Sequence, residues 1–323
     1  MFHELTFRAM NTRMQVLVES ETPLVMLESP ILDGFSHAEE RFSRFLPNSE
    51  CSYLNARSGQ TSIVSNSMME VLTLSRHYQE QTNGAFDICV GHALQRAGYR
   101  QSFERIKGRT MQVEHNSPIS SSSEALHMDP WMKSIRIPSH KQLDFGGIVK
   151  SWTAQQVAHQ LRKEWQVARG LISAGGDVVV WGGAAINQPW IVGIENPFAV
   201  DESDEATLQL AIGAVATSST LRRRWRTNEG EMHHLMDTRT MRPSTSTVVQ
   251  CTVVGKDVIA CEVWAKVLCM LGIDEGVPLF RRRTEGMGME AILYTSSGDL
   301  FQLKSAANDL AYEWKGLKGA RHL

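Results

Sequence analysis

The chain has 323 residues, of which 42% are hydrophobic and 21% are charged, and its formal net charge is −2. These proportions are typical of a folded globular protein with one large domain or two ordinary ones. The charge lacks the basic excess that nucleic-acid binding requires, so we expect no nucleic-acid partner. The sequence also lacks a run of about 18 apolar residues, so we predict no membrane segment.

The cysteines are odd in number and include no Cys-x-x-Cys pair; they are Cys51, Cys89, Cys251, Cys261 and Cys269. This pattern argues against a disulfide framework and against a zinc site built from thiolates. The first residues show no basic segment followed by an apolar run, as a signal peptide would. We therefore expect a cytoplasmic protein with reduced thiols.

Hydrophobic spacing predicts the elements in chain order. The first half contains a strand pair over 5–19, a helix over 25–45 with Pro30 in its first turn, a helix over 68–80 and an exposed low-complexity loop over 115–124. A strand over 143–145, a Gly-Gly turn and a helix over 149–165 follow. The second half contains strands over 170–182, 189–194, 208–215 and 248–254, a helix over 258–271, strands over 291–294 and 300–303, and an exposed tail over 306–323. Strands and helices do not alternate regularly, which favours an α+β fold with largely antiparallel sheets and flanking helices.

Two Gly-Gly turns are candidates for ligand contact. Gly146 and Gly147 stand before a helix, where backbone N–H groups can approach an anion. Lys150 in the first helical turn opposes the helix dipole, which makes sense if it holds a phosphate; a plain Gly-Gly turn with a solvated lysine is the alternative. Gly175 and Gly176 lie between two apolar runs and form either a plain hairpin corner or part of a ligand groove.

Two further segments carry candidate chemistry. The segment from His233 to Pro243 supplies histidines, an aspartate and two arginines, enough for a general base and anion contacts; a structural histidine is the alternative. Glu262 and Lys266 are four residues apart on a helix, which by itself indicates a surface ion pair.

Taken in order from Phe7 to about Gly276, these segments resemble the ApbE family of FAD:protein FMN transferases. The matching pieces are Ala9 to Thr12, Arg41 to Asn55, Thr82 to Asp87 (the family's TnGAFD), Asp144 to Lys150 (DLGGIAK), Ala174 to Asp177 (AGGD), Ala216 to Ser218 (ATSG) and His234 to Pro243 (HIIDPRTGRP).

The resemblance implies an ApbE-like, T-fold-like α+β fold with two lobes, in a single domain over 1–305. It implies that FAD lies in a groove between the lobes with Mg²⁺ on its pyrophosphate. FMN then passes from FAD to a Ser or Thr hydroxyl of an acceptor flavoprotein, and AMP is released.

The resemblance also assigns roles to residues. His234 is implied as the base for the acceptor hydroxyl, with Asp237 as its orienting neighbour, and the implied metal positions are Gly147, Glu262 and Lys266. The implied FAD-binding residues are Met10, Asn55, Gly84, Ala85, Phe86, Asp87, Gly146, Gly147, Lys150, Gly175, Gly176, Asp177, Thr217 and Ser218.

The chain departs from the family pattern where the metal is expected. Glu262 stands where the family has Asp, and Lys266 stands where it has Thr; a protonated lysine cannot ligate a cation. Gln155 and Asn11 also replace the family's Asp and Gly. Lys266 either contacts phosphate directly or pairs with Glu262 and closes the metal site. Two alternatives to the transferase stay open: an FAD-binding homologue with an impaired metal site, as a non-catalytic binder or an FAD pyrophosphatase, and a ligand-free scaffold.

Overall fold

A computed structural model of the protein describes residues 1–113, 124–183, 188–199, 206–306 and 312–323. The loop predicted over 115–124 lies, except for Glu124, outside the described residues. The chain forms two compact units. Unit 1 comprises Met1–Phe35, Lys150–Leu221 and Ser246–Leu323, and unit 2 comprises Ser36–Val149 and Arg222–Thr245.

The elements alternate irregularly between helix and strand. Up to residue 163 they are β1 (Phe2–Ala9), β2 (Thr12–Glu19), α1 (Leu24–Phe42), α2 (Glu50–Ala56), β3 (Thr61–Ile63), α3 (Asn66–Gln81), α4 (Gly91–Arg96), α5 (Phe103–Ile106), β4 (Thr110–Met111), β5 (His127–Asp129), β6 (Ser134–Arg136) and α6 (Val149–Lys163). Beyond it they are β7 (Arg169–Ala174), β8 (Asp177–Trp181), β9 (Trp190–Ile194), β10 (Ala206–Leu210), β11 (Gly213–Ser219), β12 (Arg224–Thr227), β13 (Gly230–His233), β14 (Met236–Asp237), β15 (Arg242–Pro243), β16 (Val248–Gly255), α7 (Val258–Thr284), β17 (Glu290–Thr295), β18 (Leu300–Leu303), β19 (Tyr312–Lys315) and β20 (Arg321–His322).

Unit 1 is built on a sheet with the strand order β1-β2-β7-β8-β11-β16-β17-β18-β20. Its neighbouring strands are antiparallel except for the short pair β18 and β20. A smaller antiparallel sheet of β19, β10 and β9 belongs to the same unit. The α+β class with largely antiparallel sheets is therefore confirmed.

Both faces of the large sheet are covered by apolar clusters, because successive side chains of its strands point to opposite faces. Met14, Val16 and Val18 of β2 are almost fully buried and pack in one cluster with residues of α1 and α6. On β7, Ile172 joins that cluster, whereas its neighbour Leu171 joins a second cluster with β9 and β10. Successive side chains of a strand point to opposite faces, so a single strand serves two cores.

The helix α7 packs against β11 and β16. Asp257 caps its start, since its Oδ1 accepts a hydrogen bond from the N–H of Ala260 at 2.7 Å. Gly272 adopts a φ of 70°, which interrupts the helix, and a second helical segment continues to Thr284. The predicted end at residue 271 therefore marks this interruption rather than the end of the helix.

Four predictions about elements were wrong. Helix α1 begins at Leu24 and runs through Pro30, although proline cannot donate the usual helical hydrogen bond. Residues 143–145 form no strand, because Leu143 is hydrogen-bonded to the side chain of Asn55 and the N–H of Asp144 donates to the carbonyl of Ile88, which is not in a strand. The strand predicted over 208–215 divides into β10 and β11 before Gly213, whose φ is 134°. No strand was predicted in the tail over 306–323, but β19 pairs with β10 and β20 with β18.

Unit 2 contains α2 to α5 and several short strands. Its apolar core includes Tyr99 and Trp225, whose rings stack with centroids 5.0 Å apart. The indole N–H of Trp225 is satisfied by the carbonyl of Ala97 at 2.6 Å. In the part of the chain that the structure describes, none of the helices combines the length and the apolar character that a bilayer crossing requires.

Candidate functional site

Two tight turns lie side by side at one end of the large sheet in unit 1. Met10 and Asn11 form the turn between β1 and β2, and both have positive φ, as expected for a two-residue hairpin turn. Gly175 and Gly176 form the turn between β7 and β8, with φ of 67° and 104°. The two turns are neighbours because β2 pairs with β7, which places Thr12 against Gly175.

A buried ionic cluster lies at the same sheet end, where β8 begins. The ammonium group of Lys150 binds the carboxylate of Asp177 and lies 2.9 Å from Oε1 of Glu262. Lys266 donates to the same oxygen at 2.7 Å. The side chains of Asp177 and Glu262 are 3% and 0% exposed, and those of Lys150 and Lys266 are 12% and 11% exposed. The predicted pair of Glu262 and Lys266 therefore exists, but its interpretation as a surface ion pair was wrong.

Glu262 also holds the start of α6. Its second oxygen accepts hydrogen bonds from the hydroxyl and the N–H of Ser151. A carboxylate in this place offsets the unfavourable position of Lys150 at the positive end of the helix dipole. Further along α6, Gln155 donates to Asp257 at 2.8 Å, which links α6 to the capping residue of α7. The early turns of the two helices are thus tied together by polar contacts.

The two carboxylates of the cluster differ in pKa. Burial alone would raise the pKa of Glu262, but the charges of Lys150 and Lys266 outweigh it and hold that pKa well below its usual range. Burial and the charge of Glu262 raise the pKa of Asp177, although Lys150 opposes this shift. Burial also lowers the pKa of Lys266, against the attraction of Glu262. Glu262 therefore stays ionised between the two ammonium groups.

Strand β11 brings Thr217 and Ser218 to the same end of the sheet. Ala216 pairs with Asp177, so the next residues of β11 extend beyond the start of β8. The hydroxyl of Thr217 lies 2.8 Å from that of Thr252 on β16, and Ser218 is buried. Unit 1 thus gathers Met10, Gly175, Gly176, Asp177, Lys150, Thr217, Ser218, Glu262 and Lys266 at one sheet end.

In unit 2, Asp144 organises the Gly-Gly turn before α6. Its Oδ1 accepts a hydrogen bond from the N–H of Gly146 at 2.8 Å, and its Oδ2 binds Nε of Arg44. Arg44 also donates to the carbonyl of Tyr99 at 2.7 Å and lies over the ring of Phe45. The N–H of Gly146 is thus engaged by Asp144, while Gly146 itself is exposed.

Asn55 fixes the segment that precedes this turn. Its side-chain amide accepts from the N–H of Leu143 at 2.7 Å and donates to the carbonyl of Leu143 at 3.0 Å. The N–H of Asp144 donates to the carbonyl of Ile88 at 2.7 Å. These contacts hold the segment in place without a neighbouring strand, and they give Asn55 a structural role.

The Gly84–Asp87 turn contacts the segment that carries His234. Gly84, with a φ of 80°, accepts a hydrogen bond at its carbonyl from the hydroxyl of Thr238 at 2.7 Å. Ala85 and Phe86 are buried. The carboxylate of Asp87 accepts from Gln79 at 2.9 Å and from the N–H of Cys89 at 2.8 Å. The two sequence segments predicted to share a function are therefore adjacent in unit 2.

The two consecutive histidines have different environments. His233 is buried, with Nε2 2.9 Å from the carbonyl of Ser244, whereas His234 is half-buried. Asp237 accepts from the N–H and Nε of Arg239 at 2.9 and 3.1 Å, and these hydrogen bonds lower its pKa even though burial opposes the shift. Asp237 thus orients Arg239, and its predicted action on His234 stays a prediction.

A family model, described as the ApbE family, matches residues 10–293. The chain belongs to the ApbE family. A FAD:protein FMN transferase of Klebsiella pneumoniae is 30% identical over 159 residues, which cover 49% of this chain and 47% of that protein. Another from Escherichia coli K12 is 23% identical over 74% of this chain and 68% of that protein. The chain thus spans about half the length of the first relative and about two thirds of the second.

The fold is also that of solved members of the ApbE family. The ApbE protein of Thermotoga maritima superposes with a TM-score of 0.81 over 95% of this chain and 97% of that protein, at 21% sequence identity.

The donor groups of this ApbE-family member do not fit a Mg²⁺ ion. One oxygen of Glu262 accepts from two ammonium groups and the other accepts from Ser151, so its lone pairs are directed at protons. Magnesium needs several oxygen ligands, and two ammonium charges at the same carboxylate repel it. Within the described ranges, no group of three or more His, Cys, Asp or Glu side chains could hold a metal ion.

Sequence reasoning missed several residues that organise the site. Arg44, Ser151, Thr12 and Thr238 had no assigned role, although each contacts a predicted residue. Ser151 directly follows the predicted Lys150, so the capping requirement of a helix start could have indicated it. The contact between Arg44 and Asp144 joins residues 100 positions apart and has no local signal.

Proposed function

We propose that this protein is a FAD:protein FMN transferase, which moves FMN from FAD to a Ser or Thr hydroxyl of an acceptor flavoprotein. The observation that carries the proposal is the cluster of Lys150 and Lys266 ammonium groups beside the Gly175-Gly176 turn, in a chain of the ApbE family. Cationic groups next to a glycine turn suit the diphosphate of a dinucleotide. We also propose that residues 1–305 act as one transferase domain.

The proposed reaction forms one P–O bond and breaks another. The acceptor oxygen attacks the phosphorus on the FMN side of the diphosphate, and the bond from that phosphorus to the bridging oxygen breaks. AMP leaves with the bridging oxygen, and the hydroxyl proton passes to a base, for which we propose His234. Such reactions depend mainly on positioning and charge neutralisation.

The residues of each unit have separate proposed tasks. In unit 1, Lys150 neutralises charge on the diphosphate, and Met10, Gly175, Gly176, Asp177, Thr217 and Ser218 shape the binding surface. In unit 2, the turns at Gly84–Asp87 and Gly146-Gly147 contact FAD, with Asn55 holding the second turn in place. Half-buried His234 is suited to proton transfer because its segment is anchored by the Thr238 hydrogen bond.

The test is a transfer assay with the purified protein, FAD and an acceptor protein carrying a Ser or Thr flavinylation site. We expect covalent flavin on the acceptor, seen as fluorescence in a denaturing gel, together with an equal amount of AMP. His234→Ala should abolish the transfer but leave FAD binding intact, which is measured by the quenching of FAD fluorescence. His37→Ala, which changes an exposed histidine of α1, is the matched control.

The other outcomes identify the alternatives. Release of AMP and free FMN without acceptor would indicate an FAD pyrophosphatase. Tight FAD binding without either product would indicate a non-catalytic binder, and absence of any FAD binding would indicate a scaffold. We propose a cytoplasmic acceptor, which is consistent with five free cysteines that are all buried.

A further inference from the structure

The members of the ionic cluster in unit 1 differ in how accessible they are to solvent. Its two carboxylates, Asp177 and Glu262, are 3% and 0% exposed, whereas its two lysines keep about a tenth of their side-chain surface accessible. The lysines are therefore the more accessible members of the cluster. A ligand that reaches the cluster from solvent meets the lysine side chains before the carboxylates.

The charges of the cluster are balanced without a bound ion. Two ammonium groups face two carboxylates, and the hydrogen bonds link them in the order Lys266, Glu262, Lys150, Asp177. A divalent cation would add two positive charges to a cluster that is already neutral. It would also have to displace an ammonium group from Glu262, which has no exposed surface of its own.

We infer that the ammonium groups of Lys150 and Lys266 form a metal-independent diphosphate site, in which Lys266 occupies the role of a divalent cation. This inference rests on the proposed function in taking the FAD diphosphate as the natural ligand. The tether to Glu262 keeps the Lys266 ammonium group in place. An ammonium group has three N–H donors, so Lys266 can donate to an anion while it remains bound to Glu262. The site then binds its ligand equally well with and without Mg²⁺.

The experiment measures binding of two probes, FAD and inorganic diphosphate, by calorimetry in EDTA and in excess Mg²⁺. The wild-type protein should bind in EDTA, with no gain from Mg²⁺. Lys266→Met, which keeps the chain length but removes the charge, should weaken binding about 10- to 100-fold, the effect of losing one charged hydrogen bond. Lys266→Arg should restore most of it. Lys163→Met, at an exposed lysine of α6, is the matched control.

A second measurement follows the metal itself and requires no ligand. Manganese, a spectroscopic substitute for magnesium, should remain free in electron paramagnetic resonance spectra of the wild-type protein. Stoichiometric manganese binding that Glu262→Gln removes would overturn the inference, as would probe binding that occurs only with Mg²⁺. Thermal melting of each variant identifies any loss of folding, and the wild-type measurements decide the question without variants.

The two proposals fail in different ways. Binding of inorganic diphosphate in EDTA, with no binding of FAD either in EDTA or in excess Mg²⁺, would refute the transferase and leave the metal-independent site standing. FMN transfer that requires Mg²⁺ for FAD binding would do the reverse. If neither probe binds in EDTA, the metal-independent site is refuted.

Discussion

Asp144 accepts a hydrogen bond from the N–H of Gly146 at 2.8 Å while its other oxygen binds Nε of Arg44. One carboxylate therefore shapes the Gly-Gly turn and neutralises a nearly buried arginine. Asp144→Asn keeps an acceptor for Gly146 but removes the charge that faces Arg44. We expect the free energy of unfolding to fall by roughly 3–5 kcal/mol, because a buried charge loses its partner. Urea denaturation measures this change.

Asp129→Asn is the control for that variant. Asp129 also accepts turn hydrogen bonds, from the N–H groups of Trp131 and Met132, but it is exposed. Its replacement should change stability by less than about 0.5 kcal/mol. Equal effects of the two variants would contradict a special role for the Arg44 contact.

The second prediction concerns Gly175 in the turn between β7 and β8. Its φ of 67° disfavours a side chain, and an added Cβ would lie 2.5 Å from Oγ1 of Thr12. Gly175→Ala should cost about 2–4 kcal/mol in unfolding free energy, the sum of backbone strain and overpacking. Gly108 has a similar φ of 77°, but an added Cβ there would meet no other atom. Gly108→Ala should therefore show the backbone strain alone, a loss of about 1 kcal/mol in unfolding free energy. Thermal or urea unfolding of both variants separates the two effects.

The third prediction concerns acid sensitivity. Burial and the charge of Arg224 lower the pKa of His233 despite its contact with the Ser244 carbonyl. Its Nδ1 accepts from the N–H of Leu235 at 3.3 Å, so a proton there would face another donor. Because the folded state binds the proton less well than the unfolded state, stability should fall as the pH drops below about 6.5.

His233→Gln should flatten this pH dependence, which urea midpoints at several pH values would measure. His92 also has a pKa lowered by burial, so a smaller slope should remain. His37→Gln, at an exposed position, is expected to leave the profile unchanged. An identical profile for His233→Gln and the wild type would show that another group controls the transition.

The fourth prediction concerns the cysteines. All five are buried and free, and burial raises the pKa of each thiol, including that of Cys269 to about 12. Thiolates, not thiols, react with disulfide reagents, so the native protein should label very slowly. An aromatic disulfide reagent should count five thiols after denaturation. Rapid labelling of the native protein would mean that a core segment opens readily.

Local patterns predicted most of the secondary structure but little of the chemistry. The alternation of apolar and polar residues identified β2, and the helical spacing of apolar residues identified α6. Both patterns depend only on residues that are close together in sequence. The pairing of Glu262 and Lys266 followed from their spacing, but its burial depends on α7 packing against strands that are remote in sequence. Contacts such as Lys150 with Glu262, 112 residues apart, leave no local trace.

The division of the chain into interleaved segments has a consequence for its synthesis. Strand β2 pairs with β7, so the first hairpin emerges from the ribosome long before its neighbour is translated. Unit 2 is complete only after Thr245, and unit 1 only after β19 and β20. Neither unit can finish folding during the first two thirds of translation. The nascent chain therefore exposes apolar strands until late in translation, which makes the partly made protein more prone to aggregation than the folded one.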